Sequence, residues 1–174
     1  HLAWDTKTEN WKSERINPGN TAMFENVYGA ALEKGVRRVV MASSVHVERY
    51  KDWNKKGFIS PYQDTEPDSP YGAHKIFMEK LGRWYAAKGL GVICVRFGGV
   101  CPLDVPPWQD LGTVGLTHPD CADLIKSCLT ADSVPSNFSV FYGVSDNKRR
   151  IHDYSNPFGW KPKQDADVFY RLCI

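Results

Sequence analysis

Ser44, Tyr71 and Lys75 are residue types that together can move a proton at a carbon bearing oxygen. Tyr71 and Lys75 are four apart, so on a helix their side chains lie one above the other on a single face. A free tyrosine, with a pKa of ~10, is a poor base at neutral pH, but an ammonium within a few ångström favours the phenolate. Tyr71 could then accept or return a proton near physiological pH. A hydroxyl from Ser44, at the end of a neighbouring strand, would hold the substrate oxygen in line. With eight tyrosines in the chain, a Tyr-x-x-x-Lys pair arises readily by chance, so its setting carries the weight.

That setting is favourable. Ser69 suits a helix N-cap and Pro70 the first helical position, and the helical pattern runs on to Gly89. Upstream, Val39-Val40-Met41-Ala42-Ser43-Ser44 is an apolar run ending in two serines, as a buried parallel strand ending at a site would be. The rest of the chain alternates in the same way. Residues 1–4 read as a strand end, and residues 5–15 as a polar loop over which Trp4 and Trp11 pack. A helix starts at Asn17-Pro18, carries Met23, Val27, Ala30 and Ala31 inward, and stops at Gly35. A strand at about 37–42 follows, giving the parallel α/β pattern.

Between Ser44 and Pro70 lies a polar, aromatic-rich connection holding Tyr50, Trp53, Phe58 and Tyr62. It leaves the carboxyl end of a strand, where open α/β sheets bind ligands, so it is read equally as a substrate-facing segment or an ordered surface loop. The Tyr71 helix is expected to pack through Phe77, Leu81, Trp84 and Tyr85. Residues 90–97 form the next buried strand, and Gly98-Gly99 leaves it with little bulk, open to close approach by a ligand. Residues 102–112 read as a loop. Thr117-His118-Pro119-Asp120 caps a helix with Cys121, Leu124, Ile125, Cys128 and Leu129 inward, and residues 138–142 form a last strand. The basic run Lys148-Arg149-Arg150 is solvated or faces an anionic substrate.

Composition narrows the class further. The chain has 174 residues, 42% hydrophobic and 24% charged, which is ordinary for one domain spanning 1–174. A net charge of +2 is too mild to indicate nucleic acid or an anionic membrane. No apolar run approaches the ~20 residues of a membrane span, and no signal-peptide order opens the chain. The five cysteines lack a Cys-x-x-Cys pair, which points to buried or idle thiols, no metal and a reducing cytoplasm.

The chain resembles the extended short-chain dehydrogenase/reductase family, the NAD(P)-dependent epimerase/dehydratase group. The resemblance rests on His1-Leu2-Ala3, Asn20, Gly35 to Ser44, Pro67-Asp68-Ser69-Pro70-Tyr71-Gly72-Ala73-His74-Lys75 and Val95-Arg96-Phe97-Gly98, in family order. It implies a Rossmann-like doubly wound parallel sheet of strand order 3-2-1-4-5-6-7, of which this chain holds the C-terminal portion. No glycine-rich strand-to-helix turn is present, and on the order of 60–80 preceding residues are expected. It implies NAD as cofactor, with NADP the alternative. Leu2, Ala3, Trp4, Asn20, Tyr71, Lys75 and Gly98 then fall at cofactor-binding positions and Ser44, Tyr71 and Lys75 at catalytic ones. A homodimer through the Tyr71 helix and the one before it is implied as well.

Within that family the chain is similar to uronate dehydrogenases, through Ala42-Ser43-Ser44 with His46, Leu116-Thr117-His118-Pro119-Asp120, Tyr142-Gly143-Val144-Ser145-Asp146-Asn147 and Gly159-Trp160-Lys161-Pro162. This places Thr6, Ser44, His46 and Gly99 at substrate-binding positions and implies a sugar or sugar-acid substrate. Two departures bear on a uronate: Val45 stands where an asparagine is expected, and residues 102–112 lack the arginine that would grip a carboxylate. The expected reaction is hydride transfer to the nicotinamide, with Tyr71 as base, Lys75 tuning it and Ser44 orienting the oxygen. A sugar-nucleotide epimerase or dehydratase uses the same residues, and a non-catalytic dinucleotide sensor or scaffold is the reading from another class. His118 and His152 are expected to be structural.

Overall fold

The computed structural model describes residues 1–5, 15–49, 57–102 and 111–172. Three parallel strands, β1 (Arg38–Ser44), β2 (Gly91–Phe97) and β3 (Phe138–Gly143), pair in the order β1-β2-β3. Residues 1–3 extend this sheet on the free side of β1. The His1 amino group donates to the Val40 carbonyl at 2.6 Å and the Ala42 N–H to the His1 carbonyl at 3.1 Å, the two bonds of a parallel ladder.

Helices cover both faces. Helix α1 (Pro18–Glu33) and helix α2 (Pro70–Ala86) lie on one side. Phe24, Tyr28, Met78 and Ala86 from these helices meet Met41, Val92 and Cys94 of the sheet. A short helix α3 (Leu111–Val114) precedes helix α4 (His118–Thr130). Leu124 and Cys128 of α4 join Ile93 and Val95 on the opposite face. β2 thus sends alternate residues to two cores, which is why it reads as unbroken apolar sequence. Helix α5 (Ala166–Leu172) closes the described chain. Asp120 anchors that C-terminal stretch, its carboxylate accepting from Ser145 Oγ and from the Lys163 and Gln164 amides at 2.6, 2.8 and 3.1 Å.

Three sequence expectations about packing are corrected. On α1 Ala31 of the expected stripe is buried and Val27 packs against the core, but Met23 and Ala30 give way to Asn20, Phe24 and Tyr28, because Tyr28 can enter the core with its hydroxyl donating to the Met78 carbonyl at 3.1 Å. On α2, Leu81 and Tyr85 pack against the core as expected, but Phe77 and Trp84 are exposed, and the fully buried residues are Gly72, His74, Lys75, Met78, Glu79, Gly82 and Ala86. A Cβ on Gly82 would sit 2.5 Å from Tyr28 Oη and 2.9 Å from Val92, so small residues let this helix approach the sheet closely. On α4, Leu129 is exposed, while Cys121 and Ile125 only border the core.

The buried face of α2 carries two charges. Glu79 is saturated: Arg96 donates to both its oxygens at 2.9 and 2.8 Å, and Ser43 Oγ donates at 2.5 Å. Arg96 also reaches the Pro61 carbonyl and Tyr142 Oη. Among the described residues no helix is long and apolar enough to cross a membrane, and no group of His, Cys, Asp and Glu could hold a metal ion. Cys94, Cys101, Cys121 and Cys128 are free thiols, and burial pushes Cys128 up to about 12. His152 is fully buried against the Tyr142 ring, and burial followed by the Arg96 charge takes it down to about 3, in keeping with a structural role.

Candidate active site

Ser44 is the last residue of β1, and its Oγ accepts the His46 N–H at 3.2 Å, capping a single turn at Val45–Val47. Opposite that turn α2 begins, with Ser69 Oγ accepting the Gly72 N–H at 3.2 Å and Pro70 in the first turn. A Cβ on Gly72 would lie 2.1 Å from the His46 carbonyl oxygen. Only glycine lets the helix start rest on that carbonyl, and this contact brings the end of β1 and the start of α2 together. As a result Ser44 lies close enough to Tyr71 for its hydroxyl to act on the phenol. The Tyr71 ring also meets Trp4 and His46 edge-on, with centroids 5.0 and 5.7 Å away.

Lys75 lies one turn further along and is buried. Its Nζ donates to the Ala42 carbonyl at 2.7 Å and stands 4.3 Å from the Trp4 ring centroid and 5.4 Å from that of Tyr71. No carboxylate is within ion-pair distance of it among the described residues. Burial lowers its pKa to about 8. The expected lowering of Tyr71 is corrected here: burial raises the phenol, the Ser44 hydrogen bond opposes that, and the nearby Asp68 charge adds to the rise. The ammonium is turned toward Ala42 and Trp4, so Tyr71 rests as the protonated acid.

The remaining expected positions divide. Leu2 and Ala3 are exposed at the sheet's carboxyl end, beside Trp4 and hence Lys75, so their main chain is open to a ligand. Asn20 is 1% exposed, and its side-chain oxygen accepts the Asp5 N–H at 2.9 Å, so it fixes the turn after Trp4 rather than facing a ligand. Gly98 and Gly99 are corrected. A Cβ on Gly98 would meet the Val114 carbonyl oxygen at 1.9 Å, and Gly99 pairs through both main-chain groups with Val114 and Leu116. The missing side chain of Gly98 makes room for the end of α3 in the protein itself. Thr6 lies outside the described residues, as do Trp11, Tyr50, Trp53 and Cys173. Phe58 and Tyr62 are exposed at 58% and 75%. Of the basic run, Arg150 pairs with Asp146 at 3.0 Å and packs on Phe58 and Tyr154.

Asp68, which nothing in the sequence singles out as a site residue, joins this cluster through His46: its Oδ2 is 2.7 Å from His46 Nδ1. An acid just before a helix cap looks like ordinary surface chemistry, and only the fold of the Val45–Val47 turn brings the two together. A nicotinamide nucleotide fits the residues present. Lys75 is a buried donor with no carboxylate in ion-pair contact among the described residues, Tyr71 stands beside it, and Leu2 and Ala3 are exposed next to them, a set suited to sugar hydroxyls and an amide.

Comparison with known proteins identifies the family. Residues 1–101 match the profile of the NAD dependent epimerase/dehydratase family. A uronate dehydrogenase of Agrobacterium fabrum is 33% identical over 161 residues, covering 91% of this chain and 58% of that protein. An L-arabinose 1-dehydrogenase (NAD(P)(+)) of Haloferax volcanii is 34% identical over 116 residues, 59% of this chain and 41% of that protein. The crystal structure of a mutant uronate dehydrogenase from Agrobacterium tumefaciens complexed with NAD superposes with a TM-score of 0.77 at 31% identity, over 88% of this chain and 57% of that one. The chain thus spans somewhat over half the length of the uronate dehydrogenases it matches. With a parallel sheet, a Ser44–Tyr71 contact at its carboxyl end and a profile match across more than half its residues, this chain belongs to the NAD dependent epimerase/dehydratase family.

Proposed function

We propose that the protein is an NAD-dependent oxidoreductase that oxidises a hydroxyl of a sugar or sugar acid. The observation that carries this reading is the close contact of Gly72 with the His46 carbonyl, which sets Ser44 beside Tyr71, with buried Lys75 one helical turn away. The substrate class rests on the uronate and L-arabinose dehydrogenases among its relatives, and NAD on the family and on the related structure solved with it.

A nicotinamide held beside Tyr71 and Lys75 would supply a hydride acceptor for the carbinol carbon. Tyr71 takes the hydroxyl proton, Ser44 orients that oxygen, and Lys75 holds a donor beside the reacting groups. In the reverse direction Tyr71, protonated at rest, returns the proton. Because burial raises its pKa, oxidation speeds up as pH rises and more phenolate forms, whereas reduction does not gain. The exposed Phe77 and Trp84 on α2 offer apolar area for the homodimer the resemblance implies. The free thiols accord with a reducing cytoplasm.

The test is nicotinamide reduction followed by absorbance, from neutral to alkaline pH, with protein expressed from its intact gene and a panel of aldoses and uronic acids with NAD or NADP. Turnover that falls by about 10²–10⁴ in Tyr71→Phe is the expected result. Folded, cofactor-binding protein that is silent across the panel would shift the reading to an epimerase or to a protein without turnover.

A further inference from the structure

His46 is gripped from several sides. Its N–H is taken by Ser44 Oγ, its carbonyl lies against Gly72, and its ring meets Tyr71 edge-on at 5.7 Å between centroids. Asp68 adds the hold that sets its chemistry. One carboxylate oxygen is 2.7 Å from His46 Nδ1 and the other accepts Ser69 Oγ at 2.7 Å. Ser69 caps α2, so Asp68 is fastened to the same helix end that carries Tyr71. Although burial works to raise it, hydrogen bonds from His46 and Ser69 leave the Asp68 carboxyl below its ordinary value. A carboxylate can only accept, so Nδ1 bears the hydrogen. The other ring nitrogen, Nε2, has no hydrogen bond among the described residues, on a side chain 37% exposed.

We infer that Asp68 is a positioning residue that locks His46 as the Nδ1–H tautomer, so that Nε2 accepts a hydrogen bond from a substrate hydroxyl next to the one Tyr71 deprotonates. The inference rests on the oxidoreductase reading above and deepens it. Free neutral histidine favours the opposite tautomer, with the hydrogen on Nε2, which could not accept.

The tautomer is read directly from the ring-nitrogen shifts of His46 by NMR, at a pH where the ring is neutral. Wild-type protein is expected to have Nε2 unprotonated. Asp68→Ala should move the hydrogen toward Nε2, while Asp68→Asn, whose amide oxygen still accepts, keeps it on Nδ1 and stands in should the alanine variant not fold. A wild-type ring with its hydrogen on Nε2, or an alanine variant indistinguishable from wild type, overturns the inference. This readout needs no turnover, so failure of the oxidoreductase reading and failure of this one are separable. In turnover, Asp68→Ala is expected to lower kcat/KM about tenfold, chiefly through KM. In a His46→Gln background the same change should cost less than twofold, and equal losses in both backgrounds would overturn the positioning role.

Discussion

Lys75 and Glu79 sit four residues apart on the same buried face of α2, and the protein treats the two charges in opposite ways. Glu79 has Arg96 on both oxygens and Ser43 as a third donor, and Arg96 in turn is bound to Pro61 and Tyr142. Lys75 has a carbonyl and an aromatic face, and burial takes its pKa down to about 8. A buried ion with a full set of partners holds the loop at Pro61 against the sheet. A buried ion without a counter-ion is held at a cost to stability, and such sites are where proton chemistry is tuned. One helix turn separates scaffold from chemistry.

The comparison breaks most visibly at Glu79. Glu79→Ala leaves Arg96 buried without its carboxylate and should cost about 3–5 kcal/mol in urea unfolding, and replacing both members by methionine should restore most of that loss. A cost below about 1 kcal/mol would mean that the network is not structural. Lys75→Met should do the reverse, raising stability at neutral pH by roughly 1–3 kcal/mol while turnover is lost. The sign follows from the pKa. Between about 8 and the ordinary value of 10.5, the unfolded chain keeps a proton that the folded chain has released. Wild-type stability therefore gains on the Lys75→Met protein as pH rises through this window. Measuring the difference between the two proteins removes the opposing contribution of the buried thiols and phenols, whose raised pKa values lower stability at high pH. The smallest effect belongs to the outer face of the same helix. Trp84→Ser, at a site 53% exposed and stacked on Lys88, should stay within about 1 kcal/mol, where a core tryptophan would cost 3–5.

What could be read in the sequence follows the same division. The strands at 38–44, 91–97 and 138–143 and the caps at Ser69 and Thr117 were legible because apolar runs and capping residues are local signals. The packing face of α2 was not. Its innermost residues include Gly72, Gly82, Lys75 and Glu79, which apolar periodicity passes over: it finds Leu81 and Tyr85 at the edge of the core but also picks out the exposed Phe77 and Trp84. Gly98 likewise looks like room for a ligand until the Val114 carbonyl is seen in that space, and Asp68 acquires a partner only when the chain folds His46 over it.

The hydrogen bond from Lys75 to Ala42 has one more consequence. A parallel ladder between residues 1–3 and β1 would continue, after the Ala42 N–H to His1 carbonyl bond, with the Ala3 amide donating to the Ala42 carbonyl. Among the described residues that carbonyl takes Lys75 Nζ instead. The amine thus occupies the carbonyl at which the ladder would continue, and beside that gap Leu2 and Ala3 are exposed. An amine donates whether or not it carries the extra proton. The gap therefore stays open as Lys75 titrates, and the site can change its charge without changing its shape.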